Sequence, residues 1–221
     1  MTPTTLNVLR VVAEGPVTSF RHAHYLQGVQ PTYEMPPPAT LYGHVCSTLG
    51  TLIPRESFRM ALSFVHEGKF IDYEHTHMFG RKGENKLSPT RRELLFRPRL
   101  TLYLDRPEWL DAFRHPRFPL TLGRSQDLVT YREARLVSLH AAEAGYLDQT
   151  LIPLDSPLRP ASLVTLIMPR HLTPARGVDW GHYALIRTRQ AVKAGESGRE
   201  TLWIDPESPR WRDLGRAVVW L

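Results

Sequence analysis

Cysteine is nearly absent from this 221-residue chain, with Cys46 the only one. A single thiol excludes an intrachain disulfide and a cysteine-rich zinc site, so a reducing cytoplasm is the expected location. Long apolar runs are also missing. None approaches the ~18 residues a membrane-spanning helix needs, so no membrane partner is expected. The opening Met1-Thr2-Pro3-Thr4-Thr5 lacks the basic-then-apolar pattern of a signal peptide. Glycine loops of the Walker or dinucleotide type are not found, which argues against nucleotide-driven chemistry and leaves no cofactor to expect. Lysine is scarce, at 4 of 28 basic residues, the other 24 being arginine. What is plentiful is therefore one kind of positive charge, and the chain carries a net +6. Arginine offers phosphate a planar fork and stacks on bases, so the balance points toward nucleic acid.

The distribution of that charge narrows the reading. Between Phe79 and Arg99 stand seven basic residues (Arg81, Lys82, Lys86, Arg91, Arg92, Arg97, Arg99) and two acidic ones (Glu84, Glu93). Two glycines, Asn85 and Ser88-Pro89 in the same stretch mark a protruding loop or hairpin tip. A solvated charged hairpin is the plain reading; a nucleic-acid arm is the sharper one.

Upstream, Thr5 to Ala13 is almost continuously apolar and β-branched, interrupted by Asn7 and Arg10, as in a central strand. Thr18 to Tyr33 reads as a long loop. Pro36-Pro37-Pro38 then delivers the chain into a helix whose core stripe is Leu41, Val45, Thr48, Leu49 and Leu52. Gly43, Cys46, Ser47 and Gly50 form a second stripe of small residues, for tight packing or for the approach of a ligand or partner. Phe58–Val65 and Lys69–Tyr73 follow as strands, turning at Glu67-Gly68. Leu100–Leu104 is a half-buried strand, Trp109, Leu110 and Phe113 lie at helical spacing, and two extended segments flank a turn at Gly123. Strand, helix, strand, strand, helix, strand is the α+β ferredoxin-like βαββαβ pattern of RNA-recognition modules. Two units are expected: residues 1–134 carrying this domain, and 135–221 as a β-rich C-terminal extension or second small sheet.

Basic residues interleaved with aromatics carry the strongest chemical signal: Arg21 beside Phe20 and Tyr25, then Tyr33, and Phe79 and Phe96 framing the basic arm. Gly123-Arg124-Ser125 suits a small anion-binding turn or an ordinary one with an exposed arginine. His22-x-His24 and His75-x-His77 each place two imidazoles on one side of a strand, as metal ligands would be. They lack a cysteine partner, and no metal is expected. Tyr42, His44 and His22 supply residue types for a metal-independent ribonuclease, but no spacing enforces them.

Three motifs occur in order: Ala13-Glu14-Gly15-Pro16-Val17-Thr18-Ser19-Phe20-Arg21; Met35-Pro36-Pro37-Pro38-Ala39-Thr40-Leu41-Tyr42-Gly43 running on to Ser47-Thr48-Leu49-Gly50; and Pro119-Leu120-Thr121-Leu122-Gly123-Arg124-Ser125. Together they resemble the Cas-five family, the RAMP subunit of type I CRISPR Cascade complexes. The resemblance covers residues 5 to about 131. It implies a ferredoxin-like domain with a β-hairpin thumb, here about 79–99. It also implies a subunit that caps the crRNA 5′ handle and contacts the large subunit and the adjacent backbone RAMP subunit, with target DNA reached only through the complex. Carried over by position, the RNA-binding candidates are Arg21, Tyr33, Thr40, Tyr42, His44, Phe79, Arg81, Lys82, Lys86, Arg91, Arg92, Gly123, Arg124 and Ser125. One branch of the family cleaves precursor crRNA with a tyrosine, a lysine and an adjacent histidine. Tyr42 could stand for that tyrosine, but none of Lys69, Lys82, Lys86 and Lys193 precedes a histidine. The expectation is a non-catalytic subunit, with an endoribonuclease that processes pre-crRNA as the alternative.

Overall fold

In a computed structural model the described residues are 4–22, 24–25, 28–79, 85–158, 164–173, 175, 177–194 and 201–221, with the side chains of 76–79 and 85–88 outside the description. The chain is a sheet-rich α+β protein. In order, the elements are β1 (Thr5–Glu14), β2 (Val17–Thr18), β3 (Val29–Gln30), α1 (Pro38–Leu49), β4 (Met60–Val65), β5 (Gly68–Phe79), β6 (Asn85–Phe96), β7 (Arg99–Leu104), α2 (Leu110–Arg114), β8 (Thr130–Ala141) and β9 (Ala144–Leu147). They continue with β10 (Thr150–Pro153), β11 (Val164–Leu172), β12 (Val178–Ile186), β13 (Gln190–Lys193), β14 (Trp203–Asp205) and β15 (Arg216–Val218).

The main sheet has the order β13-β9-β15-β14-β8-β1-β7-β4. β1 lies inside it, antiparallel to β7 on one side and to β8 on the other. Its largely apolar sequence is needed because both faces are covered. Leu9, Val11 and Ala13 join the core beneath α1, while Val8 packs with Ala61, Tyr103 and Val137 on the opposite face. α1 starts at its third proline, whose missing N–H costs nothing in a first turn. It ends at Gly50, which adopts φ 77° and returns its N–H to Cys46 and Ser47. Leu41 and Val45 are fully buried, each stabilising the fold by roughly 2 kcal/mol.

Several expectations are corrected. Leu52 lies beyond the helix and is 72% exposed, because the glycine cap stops the helix first. The small-residue stripe is not tightly packed at Gly43, where a Cβ would meet nothing within 4 Å. β4 does not turn back on β5: it pairs with β7, while β5 pairs with β6. The projecting hairpin therefore begins at Gly68 rather than near Phe79 and ends at Phe96. The stretch Thr18–Tyr33 is not simply a loop, since β2 and β3 both pair with β6. The segment after Gly123 holds only an isolated bridge between Thr121 and Leu128 before β8 starts.

The expected division at 134/135 falls inside β8. Beyond it, β9, β13, β14 and β15 extend the main sheet, and β10, β12 and β11 make a separate three-stranded sheet. An ionic cluster ties the C-terminal part to β1. The Arg10 guanidinium reaches Asp205 at 2.7 Å, Glu133 at 2.9 Å and Glu207 at 3.1 Å, and the Tyr103 hydroxyl donates to Asp205 at 2.7 Å. Among the described residues no helix is long and apolar enough to cross a membrane.

Candidate RNA-binding surface at the hairpin root

The strand period of two sends neighbouring residues of the hairpin to opposite faces. Tyr73 and Arg91 sit opposite each other across β5 and β6, and Val29 of β3 lies beside Arg91. This outer face is exposed: Tyr73 is 67% accessible, and the Arg91 guanidinium lies 5.9 Å from its ring centroid. The segment between β2 and β3 runs alongside, anchored where the Arg91 amide donates to the Gly28 carbonyl. Exposed Arg21 comes from that segment, its guanidinium donating to the Tyr25 carbonyl, with Tyr25 half exposed. Among the described residues neither Arg21 nor Arg91 has a carboxylate partner. Two guanidiniums without a carboxylate partner among the described residues, with two exposed phenol rings, can neutralise phosphate and stack on bases.

The inner face is the opposite case. Arg92 pairs with Glu74 at 2.7 Å, and Glu74 also pairs with Arg124. Arg124 in turn grips Asp127, Nη2 to Oδ1 at 2.7 Å and Nε to Oδ2 at 2.9 Å. Asp127 is buried and accepts the amides of Ser19 and Arg124. The turn at Gly123 is thereby clamped onto β2, where the Thr18 hydroxyl donates to the Leu122 carbonyl. Gly123 holds φ 92°, and a Cβ there would lie 2.6 Å from both the Ser19 carbonyl oxygen and the Thr18 hydroxyl. Arg92 and Arg124 are thus internal ties, which leaves exposed Ser125 at the turn's surface.

Three other sequence candidates turn inward. Tyr33 is buried, stacked on His22 at 3.6 Å, with its hydroxyl donating to the Ile167 carbonyl. Tyr42 is buried with its hydroxyl donating to the Ile53 carbonyl, and burial is the main cause that pushes its phenol up to about 12. His44 is buried in α1. Its Nδ1 meets the Thr121 carbonyl at 2.8 Å and its Nε2 the Tyr131 hydroxyl at 2.8 Å, and Tyr131 also meets Thr48. With a carbonyl on one nitrogen and a hydroxyl on the other, burial holds this imidazole neutral, below the ordinary histidine range. Thr40 is half-buried near the start of α1. Phe79 and Lys86 lie on the hairpin strands with side chains outside the description, and Arg81 and Lys82 lie outside the described residues. His22 and His24 do not converge, since His22 stacks on Tyr33 and His24 on Trp180, and the His77 side chain of the other pair lies outside the description. No group of three or more metal-ligating side chains occurs among the described residues.

Sequence reasoning missed a second patch. Arg114 and Arg117 are exposed after α2, with Phe118 52% accessible and the Arg117 guanidinium 5.9 Å from its ring. The Arg117 amide donates to the Thr48 carbonyl, placing the patch at the end of α1. The alternation of basic and aromatic residues in Arg114-His115-Pro116-Arg117-Phe118 was the available signal.

Solved structures resemble this fold at low sequence identity. A chain of a "CRISPR RNA-guided surveillance complex" matches with TM-score 0.55 at 13% identity, over 87% of this chain and 95% of that one. A CRISPR protein from Archaeoglobus fulgidus matches with TM-score 0.53 at 13% identity, over 96% and 98%. A chain of a type III-B Cmr-beta complex "bound to cognate target RNA and AMPPnP" matches with TM-score 0.50 at 12% identity, over 83% and 86%. These likenesses are of fold. Among curated proteins none matches the sequence. The model of the CRISPR-associated protein (Cas_Cas5) family matches residues 8–189, most of the length, and the chain belongs to that family.

Proposed function

We propose that this chain is a non-catalytic subunit of a type I CRISPR Cascade that binds the 5′ handle of the crRNA. In this reading β8-β1-β7-β4 with α1 and α2 is the ferredoxin-like RAMP core, and β5–β6 is its thumb. Those four strands are mutually antiparallel neighbours, with α1 between β1 and β4 in the chain and α2 between β7 and β8. The observation that carries the RNA reading is the outer face of the hairpin root. There exposed Arg91 lies over Tyr73 and exposed Arg21 reaches the Tyr25 carbonyl from the adjoining segment, neither with a carboxylate partner among the described residues, in a chain whose family is CRISPR-associated. Single-stranded RNA is recognised by this combination of phosphate neutralisation and aromatic platforms. The large subunit and the adjacent backbone RAMP subunit are the proposed protein partners, and target DNA is reached through the complex.

The state of Tyr42 supports a holding rather than a cutting role. A general base must reach the proton it removes. The Tyr42 hydroxyl is buried against the Ile53 carbonyl, and its raised pKa keeps it protonated at neutral pH. Incubating the purified protein with labelled repeat RNA in EDTA tests both parts. Retention without cleavage is expected. Specific cleavage that is lost in Tyr42→Phe would replace this reading with the endoribonuclease one.

A further inference from the structure

The hairpin has two faces and also an open edge. Among the described residues β5 pairs only with β6, so its other side carries no strand over twelve residues. Such an edge presents a row of backbone N–H donors and C=O acceptors ready for another chain. Proteins usually blunt long edges with proline, a bulge or projecting lysines. β5 has no proline, and its register against β6 runs unbroken from Gly68 to Phe79. Its one lysine, Lys69, is turned toward Glu93 at 3.4 Å.

The flanks of the edge are apolar on both faces. Phe70 is 43% exposed and lies beside Phe96, 46% exposed, with ring centroids 6.4 Å apart. Ile71, 48% exposed, points to the other face. The charge between them is acidic. Glu74 is engaged by Arg92 and Arg124, whereas exposed Asp72 accepts the Tyr73 amide and feels the Arg124 charge without forming an ion pair among the described residues.

We propose that this edge receives an extended segment of a partner protein as an additional β-strand. Apolar side chains of that segment would lie beside Phe70 on one face and Ile71 on the other, with a basic side chain opposite Asp72. Polypeptide fits better than RNA for a chemical reason. A strand backbone returns one donor and one acceptor per residue, whereas a phosphodiester chain is rich in acceptors and would leave the β5 carbonyls unpaired. Asp72 also repels phosphate. The proposal concerns the edge and does not depend on RNA binding at the Arg21 and Arg91 face.

The test places a photo-crosslinking benzoylphenylalanine at Phe70 of the full chain in its assembled complex, with adducts mapped by mass spectrometry. One short segment of a partner protein is the expected adduct. In parallel, alternate β5 amides are expected to exchange roughly tenfold or more slowly than in the free chain, as ladder pairing requires. Adducts to RNA, adducts to a second copy of this chain, an absence of adducts, or unchanged amide exchange would each overturn the proposal. Phe70→Thr, on the face away from Tyr73 and Arg91, separates it from the RNA reading. That variant is expected to weaken partner binding at least about tenfold, with handle-RNA affinity and unfolding midpoint unchanged. Unchanged partner binding would count against the edge even if RNA binding holds.

Discussion

Arg91 and Arg92 are neighbours in the chain, and the structure uses them in opposite ways. Arg92 points to the inner face of the hairpin and is held by Glu74, which also holds Arg124 against Asp127. Arg91 points outward and meets only an aromatic ring among the described residues. The same side chain therefore serves as an internal tie on one face and as a free cation on the other. Basic composition by itself does not identify a nucleic-acid surface, because a carboxylate on the neighbouring strand or turn decides which arginines remain available.

The contrast predicts that inner-face changes damage folding while outer-face changes damage binding. The largest effect is expected at the clamped turn. Gly123→Ala introduces a Cβ into a left-handed conformation 2.6 Å from a backbone oxygen, and should lower stability by about 3 kcal/mol in denaturant unfolding. Arg124→Ala is next. It strips Asp127 and Glu74 of their shared partner and should cost about 2 kcal/mol. If Arg124→Ala instead left stability untouched and abolished RNA binding, the division between faces would fail.

A smaller effect concerns acid. His44 is buried and neutral in the fold, with its pKa below the ordinary value of about 6.5. Its contribution to stability is complete above that pH. It falls as the pH drops below it, by up to about 1.4 kcal/mol per unit, until the folded form also protonates. Unfolding midpoints measured between pH 7 and 5 should therefore decline. His44→Gln keeps a donor for Thr121 and an acceptor for Tyr131 and should flatten the decline. The smallest effects belong to the outer face, where Arg21→Ala or Arg91→Ala should each cost about 1 kcal/mol of RNA affinity and leave unfolding unchanged.

Much of the architecture was legible in the sequence. The apolar run of β1, the proline entry and glycine exit of α1, and the turn residues of the hairpin each announce their element through local chemistry. The pairing was not legible. Nothing local says that β4 joins β7 rather than the strand immediately after it, or that β9, β13, β14 and β15 complete the sheet begun by β1. Those choices rest on contacts between residues far apart in the chain, such as Arg10 with Asp205.

The candidate site divided in the same way. The sequence singles out Arg21 and Arg91 as candidates by their setting among aromatics and basic residues, and the structure leaves both exposed. Tyr33, Tyr42 and His44 were mistaken for surface groups because a polar atom on a core residue looks the same in sequence as one on the surface. Each hides its polar atom by bonding a distant carbonyl or hydroxyl: Ile167, Ile53, and Thr121 with Tyr131.

On the proposed reading, the exposed arginines Arg21 and Arg91 hold RNA while the tied arginines Arg92 and Arg124 hold the fold. The salt dependence of handle-RNA affinity measures this most directly, comparing the Arg21→Ala/Arg91→Ala double variant with the unaltered protein. Weaker binding is expected, with a slope of log affinity against log salt reduced by about 1.4, or about 0.7 per lost phosphate contact, and an unchanged unfolding midpoint. An unchanged slope and affinity in the folded double variant would contradict that reading.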